Sequence, residues 1–219
     1  MVFRIYKILL KSFGPQGWWP IRGIYDIKKK SFSKAEKFEI AIGAVLTQNT
    51  SWKNAASALE NLHSEKILSC DKILLCDLNR IKHLIISSGY YNQKSVRLKT
   101  FAGFIKSHKS DYNAFSREDL LRVSGIGRET ADSILVYACQ KPFFIVDAYT
   151  KRFIHRTGLS RYEDYDEVQN FFMKNLSKDI EVYKEYHALI VELSKRHCRK
   201  TPICKDCPLG DLCASFKKG

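Results

Sequence analysis

Apolar residues return at helical spacing along most of this chain, and nowhere do they alternate over a run long enough to make a strand. Between Ser33 and Leu62, the apolar residues Phe38, Ile42, Val45 and Leu46 and then Ala55, Ala58, Leu59 and Leu62 fall on helix faces. Ser33 followed by Glu36 has the form of a capping box. The same reading predicts helices over 74–84, 96–105, 117–123, 129–138, 148–157, 165–176 and 181–196. It predicts a loop at Asn92–Gln93, after Ser87-Ser88-Gly89, and a helix stop at Lys141-Pro142. Asp147 stands where the N-cap of the helix over 148–157 belongs. The expected class is all-α, with about nine or ten helices, short connections and no internal repeat. A chain of 219 residues suffices for one large domain or two small lobes sharing a core.

Charge narrows the partners. Lys and Arg number 37 against 23 Asp and Glu, a net charge of +14 spread along the chain rather than gathered in a tail. This implies a folded basic face for a polyanion, with nucleic acid the first candidate and an anionic membrane surface the second. No stretch approaches the ~18 apolar residues of a membrane span, and charges thread the N-terminal residues where a secretory segment would be apolar. The expectation is a cytoplasmic, nucleoid-associated protein with no membrane partner. Seven cysteines without a secretory segment argue for a reducing compartment. Cys70, Cys76 and Cys139 lie in apolar company, as core residues do. Cys198, Cys204, Cys207 and Cys213 fall within sixteen residues as C-x5-C-x2-C-x5-C, which reads as a metal site. Four thiolates suit tetrahedral zinc or a [4Fe–4S] cluster, and spacing alone leaves both open.

The strongest mid-chain signal is Leu120-Leu121-Arg122-Val123-Ser124-Gly125-Ile126-Gly127-Arg128-Glu129-Thr130-Ala131, a glycine hairpin between two helices. Gly125 and Gly127 permit positive φ and close backbone approach, and exposed amides beside a helix N-terminus form a phosphate site. A dinucleotide fingerprint would need a third glycine at Thr130 and a strand before the hairpin; a P-loop would need Lys-Ser/Thr where Arg128-Glu129 stands.

With Asp147 twenty residues after Gly127, this hairpin resembles that of the helix–hairpin–helix DNA glycosylases of the endonuclease III family. The resemblance spans nearly the whole chain: Leu46-Thr47-Gln48-Asn49-Thr50, Gly89-Tyr90-Tyr91-Asn92-Gln93-Lys94, the hairpin, Ile145-Val146-Asp147 and the terminal cysteines. It implies a six-helix barrel module over 28–141, with the hairpin at about 117–139. A terminal helical lobe would be made of 1–27 and 142–219, with a lesion pocket between the lobes. It also implies a monomer acting on double-stranded DNA with a damaged base.

On the same resemblance Asp147 assists cleavage of the N-glycosidic bond. A carboxylate suits that step because the sugar becomes positively charged as the base departs. Bifunctional members carry a lysine eighteen residues before this aspartate, whose amine forms a Schiff base and leads to strand cleavage. Here that position is Glu129, so the β-lyase step is expected to be lost, with Lys141 and Lys151 the other amines near in sequence. Glu129, Trp18-Trp19-Pro20 and Lys37-Phe38-Glu39 resemble the 3-methyladenine glycosylase branch. A cationic alkylated purine would stack on Trp18, Trp19 and Phe38 through cation–π attraction, with Glu129 adding negative potential. Gln48 is placed as the filler of the hole left by the flipped base and Tyr90 as the wedge opposite. Gly125, Gly127, Arg128 and Thr130 are the hairpin's DNA-binding residues.

For the four cysteines the endonuclease III resemblance favours a [4Fe–4S] cluster over zinc, in a loop over 198–213 whose basic residues meet phosphate. The first Cys interval is one residue shorter than the family's. The alkylation branch lacks such a cluster and the oxidised-base endonucleases carry it, so the chain joins features of two branches. The expected function is monofunctional removal of alkylated purines. The alternatives are a glycosylase for oxidised, deaminated or mismatched pyrimidines (U or T opposite G), with or without weak AP-lyase activity, and a non-catalytic DNA-binding iron–sulfur protein.

Overall fold

The computed structural model describes residues 1–216. The described residues are helical, joined by turns, with a lone bridge between Ile21 and Ile24 in place of any strand. Among them no helix is long and apolar enough to cross a membrane. In chain order the α-helices are α1 (Val2–Phe13), α2 (Lys34–Leu46), α3 (Trp52–Ser64), α4 (Cys70–Leu75), α5 (Leu78–Leu84), α6 (Tyr91–Ser107), α7 (Arg117–Arg122), α8 (Arg128–Ser133), α9 (Ala148–Thr157), α10 (Tyr165–Asn175) and α11 (Ile180–Arg196). The chain divides into two compact units, one of residues 1–18 and 142–216, the other of 19–141. Residues 19–27, expected in the terminal lobe, belong to the second of these.

Local chemistry explains most helix ends. At α2, Glu36 N donates to Ser33 Oγ and Ser33 N donates to Glu36 Oε2, which is the anticipated capping box. Ser116 and Asp119 repeat the device at α7. The helix expected over 74–84 is instead two, α4 and α5. They part at Cys76, and Asp77 restarts the chain by accepting from Asn79 and Arg80 N–H. The loop expected at Asn92–Gln93 is the first turn of α6, because Tyr90 turns the chain in a left-handed conformation one residue before it. The helix expected over 129–138 begins as α8 and widens into a π-helical turn, Ile134–Ala138. The first helix, α1, was not anticipated; its buried stripe is Val2, Ile5 and Leu9.

In the 19–141 unit, α2 is the central helix. Every residue from Phe38 to Leu46 is buried, and α3, α6, α8 and the π turn pack around it. Gly43 is needed there: a Cβ would stand 2.9 Å from the Trp19 ring. The hairpin helices are tied by a bidentate pair, Arg117 Nε and Nη2 to the two oxygens of the fully buried Asp132 at 2.8 and 3.0 Å. The other unit is built on aromatic packing. Phe144 and Phe172 stack at 4.0 Å, and Tyr183 and Tyr186 meet Phe144 edge-on. Each such pair adds about 0.5–1.5 kcal/mol beyond area burial. Ile5 and Leu9 of α1 join this core, and the Tyr186 hydroxyl donates to the Val2 carbonyl.

Candidate active site and nucleic-acid interface

Asp147 sits at the end of an extended segment that its own unit pins in place. Gln169 donates to the Phe144 carbonyl at 2.7 Å, and Val146 N–H donates to the Tyr165 hydroxyl. Asp147 then caps α9: its Oδ1 accepts from Thr150 N at 2.7 Å and from Thr150 Oγ1 at 2.9 Å. Its Oδ2 lies 3.5 Å from Nε2 of His187 on α11, and 14% of the side chain remains open to solvent. Burial pushes the carboxyl up, but His187 and the two Thr150 donors outweigh it, so Asp147 stays below the ordinary carboxylate range. The result is an anion whose first oxygen is consumed by the helix and whose second is held beside a half-buried imidazole. His187 Nε2 has no hydrogen-bond partner. Nothing in the sequence singled out His187, because it lies among the apolar positions of α11 and its neighbour is 40 residues away.

In the other unit the hairpin is anchored by buried Val123 and Ile126, with Ser124, Gly125, Gly127 and Arg128 exposed. Gly125 has φ +85°, where a side chain would be strained, and a Cβ there would run into Arg97 at 2.6 Å. Gly127 differs from expectation. Its φ is −94°, so no left-handed backbone is needed, and the space before its missing Cβ is open. Glu129 lies exposed in the first turn of α8. Of the two neighbouring amines, Lys141 Nζ donates to the Phe115 carbonyl.

Gln48 does not stand alone at the end of α2. Its amide nitrogen donates to the Gly125 carbonyl and to Thr130 Oγ1, both at 2.9 Å, and its oxygen accepts from Arg97 Nη1 at 2.8 Å. To fill a vacated base position it must leave these partners. Tyr90 has φ +46° and is 62% exposed. Asn49, beside Gln48, has φ +53°. The two loops expected to meet DNA therefore each turn through a left-handed non-glycine residue, a conformation that costs of order 1–3 kcal/mol and clusters at functional sites.

The expected aromatic walls are placed unequally. Trp19 is buried edge-on against Trp52 and Tyr137, at 5.0 and 5.3 Å, and over Gly43. Phe38 is also buried in its unit, and Trp18 is half-buried in the other. For Trp19 the packing replaces the stacking face that sequence reasoning gave it, because the Trp-Trp-Pro pattern cannot show which ring the core consumes.

The four cysteines lie on a loop clamped to the C-terminal end of α9. Arg152 donates to the Cys198 carbonyl at 2.8 Å. Arg156 donates to Cys198 Sγ and to the carbonyls of Arg199 and Lys200. Cys213 Sγ donates to the Arg156 carbonyl at 3.2 Å. Gly158 is required at the end of α9: its φ is +75°, and a Cβ would stand 2.8 Å from Ala214. Burial pushes the Cys207 thiol up, and nearby Cys213 and Cys204 push the same way. Among the described residues no three His, Cys, Asp or Glu side chains form a metal-holding group. Four thiols on one clamped loop are the donor set that a cluster taking one thiolate per iron would require.

Comparison with known proteins gives four findings. Residues 42–178 match the HhH-GPD superfamily, described as base excision DNA repair proteins. A protein of Methanocaldococcus jannaschii, whose name gives it provisionally as a DNA repair glycosylase, is 44% identical across 98% of this chain and 96% of its own. An H. pylori 3-methyladenine DNA glycosylase bound to 1,N6-ethenoadenine superposes with a TM-score of 0.74 at 32% identity, covering 89% of this chain and 97% of that one. A trapped endonuclease III–DNA covalent intermediate superposes with a TM-score of 0.79 over 100% of this chain and 98% of that one; at 22% identity it shares the fold.

Proposed function

This chain belongs to the HhH-GPD superfamily of base excision DNA repair proteins, and we propose that within it the protein is a monofunctional glycosylase that removes alkylated, cationic purines from duplex DNA. The observation that carries this reading is the Asp147 carboxylate, kept ionised and partly open at the head of α9. The glycosidic bond breaks towards the base, so a purine already positively charged accepts the electron pair and leaves neutral. The sugar takes up the positive charge, Asp147 stabilises it, and a water oriented by the same carboxylate adds to C1′ and releases its proton to solvent. No strong general acid is needed for such a leaving group. The 32% identity to a 3-methyladenine glycosylase supports this substrate class.

Glu129 stands where a Schiff-base lysine would be, and a carboxylate cannot form that bond. The products are a free base and an intact abasic strand. Of the three expected walls, Trp18 is the most exposed, while Trp19 and Phe38 are packed in the core of their own unit. The hairpin with Gly125, Gly127, Arg128 and Thr130 binds the phosphate backbone, Gln48 fills the gap and Tyr90 opens it. The four cysteines hold a [4Fe–4S] cluster whose basic loop positions the protein on DNA. A second reading, an endonuclease III-like glycosylase for damaged or mismatched pyrimidines, is favoured by that cysteine loop.

The test is a panel of duplexes, each with one lesion, developed with and without alkali. Base release from alkylated purines, with strand cuts only after alkali, is expected. Cuts without alkali, trapped by borohydride, overturn the assignment of Glu129; release confined to pyrimidine lesions favours the second reading. Iron with visible absorbance is expected in the purified protein; a colourless protein with stoichiometric zinc contradicts the cluster.

A further inference from the structure

Lys94 is a lysine on α6 with only 1% of its surface exposed. Its Nζ donates to the Leu46 carbonyl and to the Ser88 carbonyl, both at 2.7 Å. These are end groups of two different elements, the last residue of α2 and the last of the 3₁₀ turn Ile86–Ser88. Helix-end carbonyls lack partners of their own and carry partial negative charge, so a cation is the fitting cap. Here one ammonium caps two ends at once.

Each of the two carbonyls leads straight into a loop expected to meet DNA. Three residues after Leu46 comes Asn49, and two after Ser88 comes Tyr90, the left-handed residues of those loops. One turn along α6, Arg97 holds Gln48 by its side-chain oxygen and lies across Gly125 of the hairpin. The first turns of α6 thus carry two cations that fix the Gln48 loop, the Tyr90 turn and the hairpin. Burial, with Arg97 adding to it, pushes the ammonium of Lys94 down to about 8. A buried cation with two neutral acceptors is a poor device for stability alone, since an apolar side chain fills the same space without desolvating a charge. It is a good device for fixing geometry.

We propose that Lys94 is a positioning residue for base extrusion: its ammonium locks the Gln48 loop and the Tyr90 turn at one separation, so that both enter the duplex together. The inference rests on reading Gln48 and Tyr90 as DNA contacts.

The test is a double-variant cycle on the full-length protein with Lys94→Met and Tyr90→Ala. One readout is 2-aminopurine fluorescence beside a tetrahydrofuran abasic analogue, which reports opening of the stack without any base cleavage. The other is single-turnover release of alkylated purine. Wild type is expected to raise the fluorescence and each single variant to lose most of that rise. The double variant is expected to be no worse than either alone. Base release by Lys94→Met is expected to fall about 10²-fold, the scale of an ångström misplacement remote from the chemistry. Affinity for undamaged duplex is expected to stay within about twofold, since no phosphate contact is removed. Wild-type fluorescence and release in Lys94→Met, or losses that multiply in the double variant, overturn the proposal. If Lys94→Met does not fold, Lys94→Gln, which keeps an amide donor, takes its place in the same cycle. A wild type that opens the stack but releases no base from any lesion refutes the glycosylase reading and leaves the positioning of Lys94 testable by fluorescence.

Discussion

Two polar centres, one in each unit, are held in opposite ways. Asp147 is held by its own helix: both strong donors to it come from Thr150, three residues on. Gln48 is held by strangers, Arg97 at 49 residues, Gly125 at 77 and Thr130 at 82. The first arrangement survives as long as one turn of α9 exists. The second exists only when α2, α6 and the hairpin are docked. The carboxylate is thus held by local contacts and the amide by distant ones.

The comparison can be broken most sharply at Asp147. In Asp147→Asn, single-turnover base release is expected to fall by about 10²–10⁴-fold, while stability falls far less, because Asn caps a helix as well as Asp and only the charge interaction with His187 is lost. Equal loss of stability would mean that capping was its whole role. On the other side, Asp132→Asn removes the buried carboxylate that pairs with the half-buried Arg117, and denaturant unfolding should show a loss of about 3–5 kcal/mol. Gly125→Ala forces a side chain into a left-handed position and against Arg97. A loss of about 1–3 kcal/mol is expected, together with weaker binding to an abasic duplex; full stability would show that the hairpin can relax.

Smaller effects sharpen the contrast through pH. Asp147 is held below the ordinary carboxylate range, so the stability it lends is present above its unfolded value and is lost as pH falls through the folded one. Thr150→Val removes one of its donors, costs about 1 kcal/mol and should move the acid fall of base release to higher pH. An unmoved acid limb would show that the Thr150 hydroxyl does not tune the carboxylate. Lys94 runs the other way. With its ammonium near 8 against an ordinary 10.5, the unfolded chain holds a proton over that window that the folded chain has shed. Wild type should therefore gain stability relative to Lys94→Met as pH rises from 8 towards 10.5; a flat difference would contradict the buried cation.

Much of the site could be read from residues a few positions apart. The Ser33–Glu36 box, the capping role of Asp147, the glycine hairpin and the cysteine spacing are all local patterns, and each lies within one turn or one loop. The hub of α6 could not be read. Lys94 and Arg97 look like ordinary surface cations in sequence, and Asn92–Gln93 after Ser87-Ser88-Gly89 reads as loop, whereas Tyr90 starts α6 from a backbone region that aromatic residues seldom adopt. The clamps on the cysteine loop were equally hidden, since Arg152 and Arg156 lie on α9, more than 40 residues before the carbonyls they bind at Cys198 and Lys200.

The amino-acid sequence by itself determined the all-helical class and where several helices begin, that Asp147 stands at a helix cap, how the four cysteines are spaced, and that position 129 holds no amine. Those properties depend on side-chain type and on spacings within a turn, which the chain carries whether folded or not. Only the tertiary structure decided that His187 stands beside Asp147, that Trp19 is spent on the core, and that one buried ammonium joins the Gln48 loop to the Tyr90 turn. Those facts arise when distant helices dock, because burial and long-range polar partners are properties of the packed surfaces and of no single segment.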